Sequence, residues 1–232
     1  MRGVLVTRPE PGAAETARAV AALGWHPILA PALLLVPRAF AAPPAQAVLF
    51  TSRAAARALP SSALPVLAVG EATAAEARAQ GFPNVAAAAG DAAALAALAT
   101  ATLNPAAGPL LLAVGQGYGQ ELATQLRAAG FRVLRRIAYA ASPAPALPGP
   151  AQAALGAGQV RAALFYSPRS ALAAMAQLRA AGLLHAIPGI EALAISPRVA
   201  HVLKALPWRA LRVAARPDQP SLLAELGEVV TA

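Results

Sequence analysis

The chain contains no cysteine, and this absence removes several kinds of site at once. Disulfides, thiolate nucleophiles and cysteine-ligated metals or clusters are all excluded. The three histidines, His26, His185 and His201, are scattered and share no metal-ligand spacing. We therefore expect no metal site in this protein.

Long hydrophobic runs are also missing, although 58% of the 232 residues are hydrophobic, because alanine supplies most of that fraction. The longest helix-like uncharged run without proline or glycine, residues 92–103, is well short of the ~20 residues that span a bilayer. Arg8, Glu10 and Glu15 interrupt the first apolar stretch, so no signal peptide is predicted. We expect a soluble, cytoplasmic protein with no membrane partner.

Acidic residues and lysine are scarce, whereas arginine is abundant. Nineteen Lys and Arg residues stand against ten Asp and Glu, giving a net charge of +9, and Lys204 is the only lysine. The arginine excess indicates either an anionic partner or a high-GC codon bias. Only ten residues are aromatic and no stacking motif is present, so we expect a polyacidic small molecule rather than nucleic acid.

What the sequence does contain is a repeated pattern of a short apolar run, a small or turn-forming residue and an alanine-rich segment. Continuously apolar strands that alternate with helices are typical of parallel sheets covered on both faces. Glycine is typical just past the end of a helix. The apolar runs begin at residues 4, 48, 65, 110, 163 and 192, and the predicted helix-ending glycines are Gly24, Gly81, Gly130 and Gly182.

Two proline-rich segments, 31–46 and 133–150, interrupt this pattern, and each holds an extended apolar piece that we expect not to lead into a helix. Such segments act as semi-rigid spacers, so both predict domain crossings. The sequence thus predicts two small parallel-sheet α/β domains joined by a two-stranded antiparallel connector, one domain inserted in the other. Domain one is 1–34 and 146–232, domain two is 42–132, and 35–41 and 133–145 form the connector strands and tethers.

Hydroxyl side chains fall where predicted strands give way to helices. This carboxyl edge of an open α/β sheet is where ligands bind, and a helix N-terminus offers unpaired N–H groups to an anion. Taken alone, each hydroxyl is more readily explained as a helix cap. Taken together, they predict two ligand-binding sheet edges. The residues are Thr7, Thr51, Ser52, Thr73, Ser167 and Ser196.

Four arginines each lie within two residues of a predicted strand end, and arginine binds carboxylates by bidentate pairing. The alternative is that each packs against its own helix terminus. These residues are Arg8, Arg53, Arg169 and Arg198. Tyr139, on the second extended piece, either projects between the domains or packs within the connector.

Motifs for nucleotide binding and for common catalytic machinery are absent. The loop VGEAT at 69–73 contains Gly70, and AVGQGYG at 113–119 lacks the third glycine of G-x-G-x-x-G because Gln120 stands there. No G-K-[ST], G-x-S-x-G or H-E-x-x-H motif occurs. The sequence therefore indicates no dinucleotide site, triad or catalytic metal.

Read together, several of these segments resemble uroporphyrinogen-III synthase, in order and over nearly the whole chain. They are TRPEPGA (7–13), LFTSRAA (49–55), VGEATAAEARAQGF (69–82), G-x-x-L-x-x-x-L-x-x-x-G-F ending at Phe131, Ala-Tyr (138–139), FYSPRSA (165–171) and ISPRVA (195–200). The resemblance implies a two-domain fold and a cofactor-independent hydro-lyase. It would cyclise linear hydroxymethylbilane, with loss of water and inversion of the fourth pyrrole ring through a spiro intermediate.

The resemblance also implies roles for individual residues. Tyr139 matches the family's tyrosine, a candidate acid for the departing hydroxyl. Thr51, Ser52, Arg53, Thr73 and Ser167 match its cleft positions. Thr7, Arg8, Gly70, Arg169, Ser196 and Arg198 complete the expected substrate-binding set.

One loop departs from the family pattern. Many relatives have a glycine and then a threonine pair where this chain has Ser196-Pro197-Arg198, so Arg198 is expected to bind a carboxylate directly. We expect a monomer that binds a small polycarboxylate substrate. The competing interpretation is a non-catalytic two-domain module that binds a small anion.

Overall fold

A computed structural model of the chain describes residues 2–228 and divides into two compact units. Unit 1 comprises Met1–Leu34 and Ser142–Ala232, and unit 2 comprises Leu35–Ala141. The expected first domain also contains Met1 and residues 229–232, which lie outside the described residues. The chain passes from one unit to the other twice, so unit 2 is an insertion in the sequence of unit 1.

Strands and helices alternate along most of the chain. In order, they are β1 (Gly3–Val6), α1 (Gly12–Ala22), β2 (His26–Leu29), β3 (Leu33–Pro37), β4 (Ala47–Phe50), α2 (Arg53–Ala58), β5 (Val66–Ala68), α3 (Glu71–Ala79), β6 (Val85–Ala87), α4 (Ala92–Thr102), β7 (Leu110–Gly115), α5 (Gln120–Ala128), β8 (Val133–Pro143), α6 (Gly149–Gly156), β9 (Val160–Phe165), α7 (Pro168–Ala180), β10 (Glu191–Ala194), α8 (Pro197–Leu203), β11 (Ala210–Val213) and α9 (Gln219–Leu226). Short 3₁₀ turns follow α4 and α7.

Unit 1 is built on a five-stranded sheet in the order β11-β10-β9-β1-β2, and its paired strands are parallel. Successive side chains of a strand point to opposite faces. Val4 and Val6 accordingly join one hydrophobic cluster and Leu5 another, and all three are buried. Both faces of the sheet are therefore covered, which explains the continuously apolar run in β1.

Unit 2 contains a six-stranded sheet in the order β3-β8-β7-β4-β5-β6. From β8 to β6 every neighbouring pair is parallel. Val48 and Phe50 pack on one face, where Phe50 meets Phe82 edge-on at 5.3 Å, and Leu49 packs on the other. This sheet is also buried on both faces, as the sequence predicts.

The two strands that carry the chain between the units, β3 and β8, are hydrogen-bonded neighbours. The amide of Ala144 donates to the carbonyl of Ala32, and the amide of Arg38 donates to the carbonyl of Ala138. Residue numbers rise along one strand as they fall along the other, so the pair is antiparallel. The predicted two-stranded antiparallel connector is confirmed.

Helix ends follow the sequence closely, but two other expectations are wrong. Gly24, Gly81, Gly130 and Gly182 each follow a helix and have positive φ, as predicted. The second proline-rich segment does lead into a helix, because α6 begins at Gly149 with proline in its first turn, where the missing N–H costs nothing.

The other error concerns strand ends. β4, β9 and β10 stop at Phe50, Phe165 and Ala194, before the hydroxyl residues, so Arg53 lies three residues beyond its strand (53 − 50) and Arg169 and Arg198 four (169 − 165, 198 − 194). The intervening N-cap residues are extended but outside the sheet ladder.

No helix among residues 2–228 combines the length and the apolar character that a bilayer crossing requires.

The α2–α3 packing in unit 2 includes an ion pair whose contribution depends on pH. The Arg57 guanidinium lies 2.8 Å from Glu76, only 11% of whose side chain is exposed, and holds the pKa of that carboxyl below its ordinary value of 4.5. A lowered folded-state pKa stabilises the fold above the unfolded value, and the stabilisation is lost as the pH falls through the folded value.

We expect Glu76→Gln to lower the free energy of unfolding at pH 7 by about 0.5–1 kcal/mol, since Arg57 is half-exposed. The difference from the unsubstituted protein should shrink below pH 4.5. Denaturant unfolding at pH 7, 5 and 3 measures it. Glu71→Gln, which breaks a more exposed pair with Arg78, is the control and should change stability less. A difference that stays constant down to pH 3 would contradict the ion-pair explanation.

Candidate active site

In unit 2, three helices begin at one edge of the sheet. β4, β5 and β7 are parallel, so their carboxyl ends lie together, and they lead into α2, α3 and α5. Helix N-termini present unpaired N–H groups and the positive end of the helix dipole. This edge is therefore suited to bind an anionic ligand.

Ser52 and Tyr139 form a hydroxyl pair at this edge. Ser52 is the N-cap of α2, where its Oγ accepts a hydrogen bond from the amide of Ala55 at 3.2 Å, and the same Oγ lies 3.1 Å from Tyr139 Oη. The cap predicted for Ser52 is confirmed. The amide occupies one acceptor position of Oγ, which leaves a second lone pair and the hydroxyl proton. Either hydroxyl of the pair can therefore donate to the other.

The Tyr139 ring is held against the backbone of β7. Gly115 is aligned with Tyr139 across the β7–β8 pair, and the amide of Gln116 donates to the Tyr139 carbonyl at 2.9 Å. A β-carbon added at Gly115 would lie 2.7 Å from Cζ and 2.8 Å from Oη of Tyr139. Gly115 therefore leaves the space in which the phenol meets Ser52. Sequence reasoning missed this role, although the glycine loop at 113–119 marked the position.

The start of α3 is compact. Gly70 is its N-cap, and an added β-carbon there would lie 3.2 Å from Cα of Gly90. Thr73, the third residue of the helix, is buried and donates its amide to the Gly70 carbonyl. Only a residue without a side chain fits Gly70 without displacing the neighbouring loop.

Thr51 and Arg53 flank the Ser52 cap. Arg53 is the first residue of α2, and Thr51 directly precedes the cap; both are half-buried. The structure thus brings Thr51, Ser52, Arg53 and Tyr139 to one locality of unit 2, with Gly70 and Thr73 beginning the helix that follows the neighbouring strand β5.

Unit 1 has a comparable edge at the ends of β1, β9 and β10. Ser167 is the N-cap of α7 and forms a capping box with Ser170. Its Oγ accepts from the Ser170 amide at 3.1 Å and donates to Ser170 Oγ at 3.0 Å. The cap interpretation of Ser167 is confirmed, and the separate bond to Ser170 Oγ uses the Ser167 hydroxyl proton. Arg169, the second residue of α7, is exposed.

Ser196 differs from the other two serines. It is the N-cap residue of α8, yet its side chain makes no cap hydrogen bond within the described chain. The cap explanation therefore does not account for its hydroxyl. Arg198, two residues later, is exposed.

Thr7 does not begin a helix, contrary to expectation. The helix after β1 starts only at Gly12, because Pro9 and Pro11 disfavour the α conformation in the residues before them. Thr7 is buried, and its Oγ1 donates to the Leu164 carbonyl at 2.6 Å. This bond gives Thr7 a structural role in joining β1 to β9.

Arg8 lies within a polar network that the sequence did not predict. Its Nη1 donates to Gln219 Oε1 at 2.9 Å, and its guanidinium carbon lies 4.9 Å from the centre of the Tyr166 ring. Thr16 Oγ1 donates to the same Gln219 oxygen at 2.9 Å. Burial raises the pKa of Tyr166 above its ordinary value of 10.0, against the opposing effects of Thr16 and Arg8, so the phenol keeps its proton at neutral pH.

Among residues 2–228, no group of three histidine, aspartate or glutamate side chains is placed to hold a metal ion.

The family model HEM4, described as uroporphyrinogen-III synthase HemD, matches residues 14–224, most of the chain. The chain belongs to the uroporphyrinogen-III synthase family. Its function is that of the family: it forms uroporphyrinogen III from linear hydroxymethylbilane, a step of porphyrin and heme biosynthesis.

A solved uroporphyrinogen-III synthase shares this fold. The Helicobacter pylori enzyme is 16% identical, with 97% of this chain and 98% of that chain covered and a TM-score of 0.56. The Thermus thermophilus enzyme is 20% identical, with 97% and 96% covered and a TM-score of 0.44. A comparison with curated proteins finds no significant match.

We expect Gly115→Ala to lower kcat for the formation of uroporphyrinogen III, because the added methyl group would displace the Tyr139 ring from Ser52. The loss should match that of Tyr139→Phe, and the double variant should be no slower than either single variant. Gly156→Ala, where an added β-carbon would meet no atom within 4 Å beyond its chain neighbours and its own helix backbone, is the matched control. Unchanged turnover in a folded Gly115→Ala enzyme would contradict this role for Gly115.

Proposed function

We propose that the chain acts as a cofactor-independent hydro-lyase, with Tyr139 as the acid that assists loss of the substrate hydroxyl. The observation that supports this is the Ser52–Tyr139 pair at 3.1 Å, at an edge where helix N-termini favour anions. In this proposal Ser52 donates to the phenol oxygen, which leaves the Tyr139 proton for the substrate hydroxyl. Ser52 also disperses the negative charge that the phenol oxygen acquires.

The proton balance of this step closes without a cofactor. The substrate hydroxyl leaves as water with the Tyr139 proton, and a cationic azafulvene remains. The substituted α-carbon of the fourth pyrrole bonds to the azafulvene and forms the spiro intermediate. The bond between that carbon and its original methylene bridge then breaks, and the released azafulvene bonds to the free α-carbon of the same pyrrole, which closes the ring with this pyrrole inverted. That free α-carbon loses its proton, which restores the phenol. Holding a flexible tetrapyrrole in one folded geometry can itself contribute several kcal/mol to such a reaction.

The substrate carries eight carboxylates, which require donors. We propose that Arg53, Thr51 and Thr73, with the N-terminus of α3 at Gly70, bind carboxylates in unit 2. In unit 1 this role falls to Arg8, Arg169, Ser196 and Arg198. Ser196 is the serine whose hydroxyl does not cap its helix.

Ser167 is assigned a different contact. Its proton is used by Ser170, so it can accept a hydrogen bond but has no donor left for a carboxylate. Pyrrole N–H groups are the donors that the substrate offers. We propose that Ser167 accepts from one of them.

Isomer analysis tests the function directly. With purified hydroxymethylbilane, the protein should yield isomer III, whereas spontaneous closure yields the uninverted isomer I. Recovery of isomer I alone, at the spontaneous rate, would contradict the synthase function. Anion binding without turnover would instead support the small-anion binding module.

Tyr139→Phe tests the proposed acid. We expect a lower kcat with little change in KM, because the proton matters in the transition state. General acid assistance is worth ~10²–10⁴-fold, and we expect a loss at or below the low end because the substrate also cyclises unaided.

The residual product of Tyr139→Phe should still be isomer III, since the site rather than the phenol directs ring inversion. Tyr118→Phe, at an exposed tyrosine, is the matched control and should leave both constants unchanged. An unchanged kcat for Tyr139→Phe would reduce the residue to a packing role. A switch to isomer I would show that Tyr139 steers the spiro step.

A further inference from the structure

Gln219, near the C-terminal end of the described chain, reaches Arg8 across 211 positions of sequence. Gln219 is the first residue of α9, whose N-cap, Asp218, accepts from the amide of Ser221 at 2.8 Å. That cap fixes the first turn of the helix and with it the place from which the Gln219 side chain extends. The side chain is half-buried, as is Arg8.

The Gln219 oxygen accepts several hydrogen bonds. Arg8 Nη1 and Thr16 Oγ1 each donate at 2.9 Å, and Tyr166 Oη donates at 3.4 Å. Arginine has donors only, so the amide atom facing it must be the oxygen. Thr16 is fully buried, which leaves this cluster little freedom to rearrange.

Three contacts together determine where the Arg8 guanidinium lies. Gln219 binds its Nη1, the Tyr166 ring packs against it at 4.9 Å, and Gly12 approaches so closely that a β-carbon there would clash with it. The Gln219 bond uses one of the five N–H donors of the group, so donors remain for a bidentate carboxylate.

The Gln219 side chain is neutral, and this affects how strongly Arg8 can attract a substrate carboxylate. A carboxylate at this position would pair with Arg8 and neutralise it, and a substrate carboxylate would then have to compete with an internal anion. An amide oxygen orients the guanidinium and leaves its full positive charge. Holding the group in place beforehand also reduces the entropy lost when a ligand binds.

We infer that Gln219 is a positioning residue for substrate binding: it orients Arg8 toward a carboxylate of the substrate while keeping it charged. Thr16 and Tyr166 support the same oxygen and the same guanidinium. The inference rests on the proposed role of Arg8 as a carboxylate-binding residue.

Gln219→Glu is the decisive variant, because it keeps the size of the side chain and supplies an internal anion for Arg8. KM for hydroxymethylbilane should rise about tenfold, the effect of losing one charge-assisted contact. The kcat should stay within about twofold, since substrate binding and transition-state binding lose the same contact. The melting temperature of Gln219→Glu should be equal to or higher than that of the unsubstituted protein. If Gln219 only stabilised the fold, a variant of equal stability would show no rise in KM.

Three further variants make the result specific. Gln159→Glu adds the same charge at the exposed residue that precedes β9, at the opposite end of the strand from Tyr166, and should leave KM unchanged. In an Arg8→Ala background, Gln219→Glu should have no further effect on KM. Gln219→Ala, which releases Arg8 without adding charge, should raise KM less than Gln219→Glu and covers the case in which the glutamate variant does not fold.

The results that would overturn the role of Gln219 can be told apart from those that would overturn the role of Arg8. If Arg8→Ala raises KM and folded Gln219→Glu does not, the positioning role of Gln219 is overturned and the role of Arg8 stands. If Gln219→Glu raises KM equally with and without Arg8, it acts by another route and the inference is also overturned. If Arg8→Ala leaves KM unchanged while isomer III still forms, Arg8 does not bind substrate and the inference fails with it, but the synthase function remains.

Discussion

Parallel pairing of strands that are buried on both faces is the constraint on which the rest of each unit depends. Two parallel neighbours need a crossover connection, and covering both faces places helices over each of them. The paired strands of the sheet in unit 1 are all parallel, as are those from β8 to β6 in unit 2. The carboxyl ends of the parallel strands in each sheet therefore lie at one edge, where the following helices begin. The polar residues of the site lie at that edge because they follow the strands there.

Helix capping decides which hydroxyls at these edges are available to a ligand. Ser167 gives its proton to Ser170, and Thr7 gives its proton to the sheet. Ser52 caps α2 with one lone pair, and the same oxygen lies within hydrogen-bond distance of Tyr139. Hydroxyl residues that look alike in the sequence thus have different chemistry, set by the hydrogen bonds that each makes.

Arginine has a comparable range of surroundings in this chain. Arg57 pairs with Glu76 and contributes to the packing of α2 on α3. Arg8 instead contacts the amide oxygen of Gln219, the ring of Tyr166 and the backbone at Gly12, none of which carries a charge at neutral pH. A positive charge held by neutral groups remains attractive to anions, whereas one paired with a carboxylate does not. For a substrate with eight carboxylates, this distinction matters more than the net charge of +9.

The sequence by itself determined the fold class, the helix-ending glycines, the antiparallel connector and the helix-capping positions of Ser52 and Ser167. These features depend on local chemistry: apolar runs, the conformational freedom of glycine, and the capping ability of serine. The tertiary structure alone decided that Gly115 makes room for Tyr139 and that Gln219 holds Arg8, because both contacts join residues far apart in sequence. It also decided that Thr7 lies outside a helix and that the Ser196 side chain makes no cap hydrogen bond within the described residues. The hydrogen-bond partner of a hydroxyl depends on which groups the fold brings close to it.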